Sequence, residues 1–329
     1  MIAAIDCSFI PKAGQETYGL GNFYNGSASK TERGLEISVI AVIDVDRKQG
    51  YSLSVQQTAD RKSSETDKSK SKQKQESRVE SYIEQLRATK PYLPKQIRYI
   101  VGDGFYSKQK WVKAVEDEGL ESIGKLRQDA DLRYRYEGEY SGRGRPRLYG
   151  EKFQVENLDS LEKVEGEKWE KQSLQLYTQV VWSKNFRRLI RLLYVSRVTK
   201  GGQQGYALLF STDVNLDPEK IYEYYKMRFQ IEFIFRDSKQ FTGLKDCQAR
   251  DGVKLDFHFN SSLSALNVAK LQNRGGEARE SGFSMANQKR WAWNEYLLER
   301  FIAELGLDQT LIKSHPQYSK LCQHGLIAF

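Results

Sequence analysis

The stretch from Ile221 to Lys239, IYEYYKMRFQIEFIFRDSK, sets a single carboxylate, Glu232, among large apolar side chains at helical spacing. At about 100° per residue, Tyr225, Arg228, Glu232, Arg236 and Lys239 fall within roughly an 80° arc, and Met227, Ile231, Phe233, Ile234 and Phe235 cover the rest of the helix. A helix apolar on most sides belongs inside a domain, so its polar stripe is expected to line a cleft. An acid flanked by cations there suits a metal ion held beside a phosphate backbone. The same spacing also suits a core-edge helix with ordinary ion pairs, since Arg228 and Arg236 each stand four residues from Glu232.

The charge balance favours the first kind of partner. Lys and Arg number 52 against 43 acids, a net charge of +9 over 329 residues, which points to an anionic partner such as nucleic acid. The excess is moderate, so placement has to carry the argument. No apolar run reaches the 18 residues of a membrane span. Met1 opens directly into IAAIDCSFI without a secretory leader, and a cytoplasmic chain with no membrane role is expected. Cys7, Cys247 and Cys322 are too far apart in sequence for zinc-ligand spacing or an obvious disulfide, and His258, His315 and His324 are scattered.

Ile2 to Ile10 reads as a short buried strand in which Asp6 stands alone, a costly placement unless it is paired or binds a metal. Gly14 to Arg33 reads as a loop, followed by a hairpin of Leu35 to Asp44 and Tyr51 to Gln57. Asp44 and Asp46 sit in its turn beside Arg47 and Lys48, where turn acids are expected. Residues 61–78 carry many cations and no apolar residue, the composition of a solvated segment. A helix follows over Val79 to Lys90. The strand Gln96 to Val101 then runs into Gly102, Asp103 and Gly104, which is either a tight turn or a place where backbone closely approaches a ligand. A helix over Lys108 to Glu118 and a strand over Leu120 to Leu126 complete this part. From Arg127 to Thr199 the chain is rich in Tyr, Val, Leu and Arg and reads as β segments, with a basic Gly142 to Arg147 tip, GRGRPR. Tyr206 to Ser211 is a further strand, Asp217 a helix cap, and helices fill the C-terminal third.

Three acids from a first strand, a fourth strand and a late helix can converge on one point of a mixed sheet. These residues resemble the DDE transposases of bacterial insertion sequences, in the insertion sequence four branch. The resemblance rests on Tyr225, Arg228, Glu232 and Lys239, which match the family signature Tyr, two residues, Arg, three residues, Glu, six residues, Lys. It rests also on Asp6 in AIDCSF, on Asp103 in its Asp-Gly-aromatic run, and on the β-rich insertion in the long interval before Glu232. It implies an α/β, ribonuclease-H-like fold with a mixed five-stranded sheet flanked by helices. Residues 1–126 would be the first part of the catalytic core, 127–199 the insertion, 200–250 the rest of the core and 251–329 a helical tail.

By the same resemblance, Asp6, Asp103 and Glu232 are catalytic and hold two Mg²⁺ ions, for which Mn²⁺ can substitute. Tyr225, Arg228 and Lys239 bind the DNA strand, and Trp182 is a counterpart of the aromatic residues that stabilise a DNA hairpin in some members. The partners implied are terminal inverted repeats, target DNA and a second copy of the chain when two ends are synapsed. In a bacterium the protein would be cytoplasmic and nucleoid-associated on DNA. Family members carry a helical region before the first acid, whereas Asp6 lies five residues from Met1. The expectation is therefore an assembled triad with weak recognition of the element ends. A nuclease on the same fold and a truncated DNA-binding remnant are the competing functions.

Overall fold

The computed structural model describes residues 1–58, 78–136, 138–139, 142, 144, 146–154, 157–198, 204–274 and 283–327. Residues 61–77 of the basic segment and part of the GRGRPR tip lie outside the described residues. The chain divides into two compact units, residues 1–233 with 250–252, and residues 234–249 with 253–329.

The first unit is built on one sheet of twelve strands among the described residues. They are β1 (Ile2–Pro11), β2 (Gly21–Asn25), β3 (Lys30–Asp44), β4 (Gln49–Gln57), β5 (Tyr99–Val101), β6 (Glu121–Leu126), β7 (Leu132–Arg135), β8 (Tyr149–Lys152), β9 (Glu162–Lys163), β10 (Leu174–Ser183), β11 (Arg188–Val198) and β12 (Gln204–Ser211). β1 is central: it pairs antiparallel with β3 and parallel with β5. β4 lies antiparallel on β3 and β6 parallel on β5, so five strands run in the order β4-β3-β1-β5-β6. Strands covered on both faces read as continuous apolar runs, and Ile2, Ala3, Ala4 and Ile5 are fully buried. Helices α1 (Arg78–Thr89) and α2 (Gln109–Asp117) cover one face, packing Tyr82, Leu86, Trp111 and Val115 onto Ala3, Ile5 and Ile100.

Two features depart from the sequence reading. The Gly, Ser and Asn-rich segment contains β2, which pairs with the early part of β3, and β3 begins at Lys30 rather than Leu35. Phe23, 3% exposed, is the anchor that a loop-like composition concealed. The sheet also does not stop at five strands. β12 pairs antiparallel with β6, β11 with β12, and β10 with β11, so the β-rich region extends the same sheet. A short helix, α3 (Glu167–Lys171), lies in that region.

The stretch expected as one helix is two, α4 (Pro218–Met227), capped by Asp217 Oδ1 accepting from the Glu219 amide, and α5 (Phe229–Phe241). At the break the Arg228 amide donates to the Tyr225 carbonyl and the Ile231 amide to the Arg228 carbonyl, bonds one residue tighter than α-helical. Ile231 is buried as expected, but Phe233 is 41% exposed.

The second unit contains α6 (Gly252–Arg274) from Val253 onward, α7 (Met285–Glu304), α8 (Gln309–Ser314) and α9 (Pro316–Cys322). Its buried side chains include Leu255, Phe259, Leu263 and Leu266 of α6. No helix among the described residues is long and apolar enough to cross a membrane.

Candidate active site

Parallel pairing brings two acids to one end of the sheet. Ala4 of β1 pairs with Val101 of β5, so Asp6, midway along β1, and Asp103, just past the end of β5, each lie two residues beyond a paired position and come side by side. The carboxyl end of β5 is the kind of place where open α/β sheets bind ligands. Asp103 caps a 3-10 turn, its Oδ1 accepting from the Phe105 amide at 2.9 Å. The Asp6 Oδ1 accepts from the Cys7 amide at 2.8 Å.

Gly102 and Gly104 divide their work. A Cβ on Gly102 would stand 2.9 Å from Tyr106 Cβ and 3.0 Å from its ring, so this glycine makes room for the chain's own aromatic side chain. A Cβ on Gly104 would meet only the Lys125 carbonyl, at 3.5 Å.

Arg228, at the α4–α5 break, joins the third acid to the first. Its Nη1 donates to Asp6 Oδ2 and its Nη2 to Glu232 Oε1, both at 2.9 Å. The side chain is only 10% exposed, and its Nε has no hydrogen-bond partner. Tyr225 and Phe229 flank the guanidinium, with ring centroids 5.9 and 5.3 Å from Cζ. Of the two arginines that stand four residues from Glu232, Arg228 makes the i,i+4 contact, and Arg236 pairs with Asp237 at 2.8 Å.

The electrostatics are those of a crowded acidic site. Burial lifts the Asp6 carboxyl; Arg228 pulls it down, Asp103 and Glu232 push it up, and it settles at about 7. Burial opposes the Arg228 charge, but Asp6, Tyr225, Glu232 and Asp103 outweigh it and raise its pKa. Burial also raises the Tyr225 phenol. Asp6, Asp103, Glu232, Arg228 and Tyr225 therefore share one electrostatic neighbourhood. Lys239 belongs to the second unit, where burial and then Lys245 lower its pKa. Among the described residues no three carboxylate, thiol or imidazole side chains form a ready-made metal cluster; a guanidinium stands between two of the acids.

A cleft of about 730 Å³ opens beside Asp103 and Tyr225 and is lined also by Phe105, Lys125, Arg127 and Tyr206. Lys125 and Arg127, on and just after β6, were not singled out from the sequence; their signal is a basic pair at the end of the next parallel strand. Lys108 Nζ lies 3.6 Å from the Phe105 ring centroid. Trp182 stacks on Tyr149 at 6.0 Å within the β-rich region. Asp44 is a turn acid, accepting from the Arg47 amide and pairing with its guanidinium, both at 3.2 Å.

Acids from the middle of β1, the end of β5 and helix α5, with a buried arginine between two of them, make an anionic centre suited to a cation and a phosphate substrate. The family described as transposase DDE domain matches residues 69–268, more than half of the chain, and the protein belongs to that family. Its activity is thereby of the polynucleotidyl-transferase type, in DNA transposition at the general level. Asp103, Tyr225, Arg228, Glu232 and Lys239 fall inside the matched span and Asp6 precedes it. No curated protein matches the chain.

Proposed function

We propose that this chain is a divalent-metal-dependent transposase of the insertion sequence four branch, which nicks DNA at element ends and joins the freed 3′ hydroxyl to target DNA. The observation that carries this reading is the Arg228 bridge, which ties an acid of the central strand to an acid 226 positions later in sequence, beside a third acid just past the adjacent parallel strand. The order β4-β3-β1-β5-β6, with the first three strands antiparallel and the last two parallel to β1, supports a ribonuclease-H-like core. On that reading residues 127–199 are an insertion that prolongs the sheet.

Asp6, Asp103 and Glu232 would hold Mg²⁺, two ions by the family pattern. The donor set fits: it is all oxygen, and the three carboxylates share one neighbourhood with the single guanidinium of Arg228. When bound, such ions activate a water or hydroxyl and stabilise the leaving oxygen of an in-line phosphoryl transfer. Arg228 offers a planar fork to a phosphate and Tyr225 a hydroxyl, while Lys239 supplies a point charge. The cleft lined by Lys125, Arg127 and Tyr206 suits the strand leading away from Asp103. The substrates would be terminal repeats and target DNA, with two copies of the chain on a pair of ends, in the cytoplasm of a bacterium.

The test is a precut, end-labelled element terminus incubated with supercoiled target and Mg²⁺ or Mn²⁺. Joined product, lost in Glu232→Gln, is expected. Cleavage without joining would replace this reading with a nuclease, and salt-sensitive binding with neither product would leave a DNA-binding remnant.

A further inference from the structure

The loop that carries Asp103 also carries a cation that no acid of the site takes up. From Asp103 the chain passes through the 3-10 turn Gly104–Tyr106 to Lys108, the residue at the N-cap of α2. Lys108 is exposed, and its Nζ lies 3.6 Å from the centroid of the Phe105 ring, which is itself packed T-shaped against Tyr82 at 5.9 Å. Ser107 Oγ donates to the Lys125 carbonyl at 2.6 Å and pins the loop to β6. The lysine therefore stands on a fixed base.

Local structure does not account for it. A helix start favours Ser, Thr, Asp or Asn and disfavours a cation, yet Lys108 makes no side-chain cap bond and the first turn of α2 holds no acid. Burial and then Arg78 lower the Lys108 pKa, while Asp103 raises it, so the lysine feels both a like charge and an acid of the site. Even so, it forms no ion pair among the described residues. The neighbouring cations are spent: Arg228 on Asp6 and Glu232, Arg78 on Glu36, Arg127 on Asp129 and Lys110 on Glu80. Between Asp103 and Lys108 the backbone is open, since Gly104 is exposed and a Cβ there would meet only the Lys125 carbonyl.

We propose that Lys108 contacts a phosphodiester of the DNA strand that passes Asp103, as a binding residue additional to Tyr225, Arg228 and Lys239. The π face of Phe105 attracts an ammonium without neutralising it. An ion pair with Asp103 would occupy a metal ligand and a cation at once; the ring keeps the two apart, leaving the carboxylate for a metal and the ammonium for a phosphate oxygen as a point contact. A contact of this kind grips the backbone and is indifferent to sequence. The assignment rests on the reading of Asp103 as an acid that works on DNA.

Fluorescence anisotropy of the full chain on a labelled duplex, in divalent-free buffer over a range of monovalent salt, reads the contact apart from the joining reaction. Lys108→Met keeps an unbranched stem on Phe105 and removes the charge. The slope of log affinity against log salt should become shallower by about 0.9, with affinity at about 0.1 M salt falling about eightfold, and Lys108→Arg should restore both. In a scan of single neutral methylphosphonates along the duplex, one position should weaken the parent and leave Lys108→Met unaffected. Thermal denaturation should be unchanged, because the side chain is exposed. A lysine that merely offsets Asp103 would behave differently: Lys108→Met would raise Mn²⁺ affinity and keep the parent's salt slope. That result, or a scan without such a position, would overturn the proposal. Equal slopes with joining intact would remove Lys108 alone, whereas a changed slope without joining would leave the contact standing and remove the transposase reading.

Discussion

Arg228 Nη1 bonds Asp6 Oδ2 at 2.9 Å across 222 residues of sequence, and the same guanidinium bonds Glu232 one turn further on. It is the local counter-charge of the acidic site. Removing one partner of a buried pair leaves the other charge uncompensated, which is the costly direction of change. Arg228→Met should therefore lower the unfolding free energy by about 2–3 kcal/mol at pH 8 in divalent-free buffer. Mn²⁺ should recover more stability in the variant than in the parent, because a cation at the carboxylates replaces the lost charge. Urea denaturation with and without Mn²⁺ measures this, and equal recovery in both proteins would refute the counter-charge role.

The Asp6 carboxyl, at about 7, makes this site sensitive to pH near neutrality. An acid whose folded value lies above its unfolded value favours the fold while it holds its proton. Its contribution is full below about pH 4 and is lost as pH rises through about 7, a span worth on the order of 4 kcal/mol at most. A metal ligand must be deprotonated, so cation binding should run the other way. Apparent Mn²⁺ affinity should rise by up to about tenfold per pH unit from 5 to 7 and flatten above 7, with proton release below 7. Calorimetry in buffers of differing ionisation enthalpy reads both quantities. An affinity constant from pH 5 to pH 8 would contradict it.

What could be seen in the sequence follows from how local each signal is. Asp6 stood out because an unpaired acid in an apolar strand is conspicuous, and the hairpin of β3 and β4 because its turn is short. Glu36, 3% exposed within LEISVIAVID, carried the same signal as Asp6 and was absorbed into the strand pattern. The break at Arg228 was invisible because neither Gly nor Pro marks it and the i,i+4 rhythm runs through it. β7, β10 and β11 lie in stretches that read as β, whereas β8 and β9 were not placed, and the attachment through β12 to β6 could not be seen because edge pairing depends on partners distant in sequence. Arg228 as a bridge between two acids required the fold itself, since Asp6 lies on β1.

The glycines around Asp103 should respond unequally. Gly102→Ala drives a Cβ into Tyr106, whose ring packs against Trp111 at 5.1 Å and is held in the core. Overpacking of this kind costs about 1–3 kcal/mol, and the shift falls on the residue next to Asp103. Mn²⁺ affinity should drop with stability. Gly104→Ala has room and should change stability by less than about 0.5 kcal/mol. Thermal denaturation and Mn²⁺ titration of the two variants compare them, and equal effects would show that Tyr106 is free to yield.

Glu36 holds α1 to the sheet, away from the acidic site. It pairs in register with Phe9, so it points to the face of the sheet opposite Asp6. There its Oε2 accepts from Arg78 Nη2 and its Oε1 from the Tyr82 hydroxyl, both at 2.8 Å. Both oxygens are satisfied in a nearly dry setting, so the arrangement depends on keeping every member. Glu36→Ala should cost about 3 kcal/mol by stranding Arg78 and Tyr82. Glu36→Gln, which retains an acceptor for Tyr82, should cost about 1–2 kcal/mol. Because the side chain faces α1 rather than Arg228, Mn²⁺ affinity of the folded protein should stay within about twofold of the parent in both variants. Urea denaturation and metal titration together separate the two effects: a loss of affinity as large as that of Arg228→Met would place Glu36 in the acidic site instead.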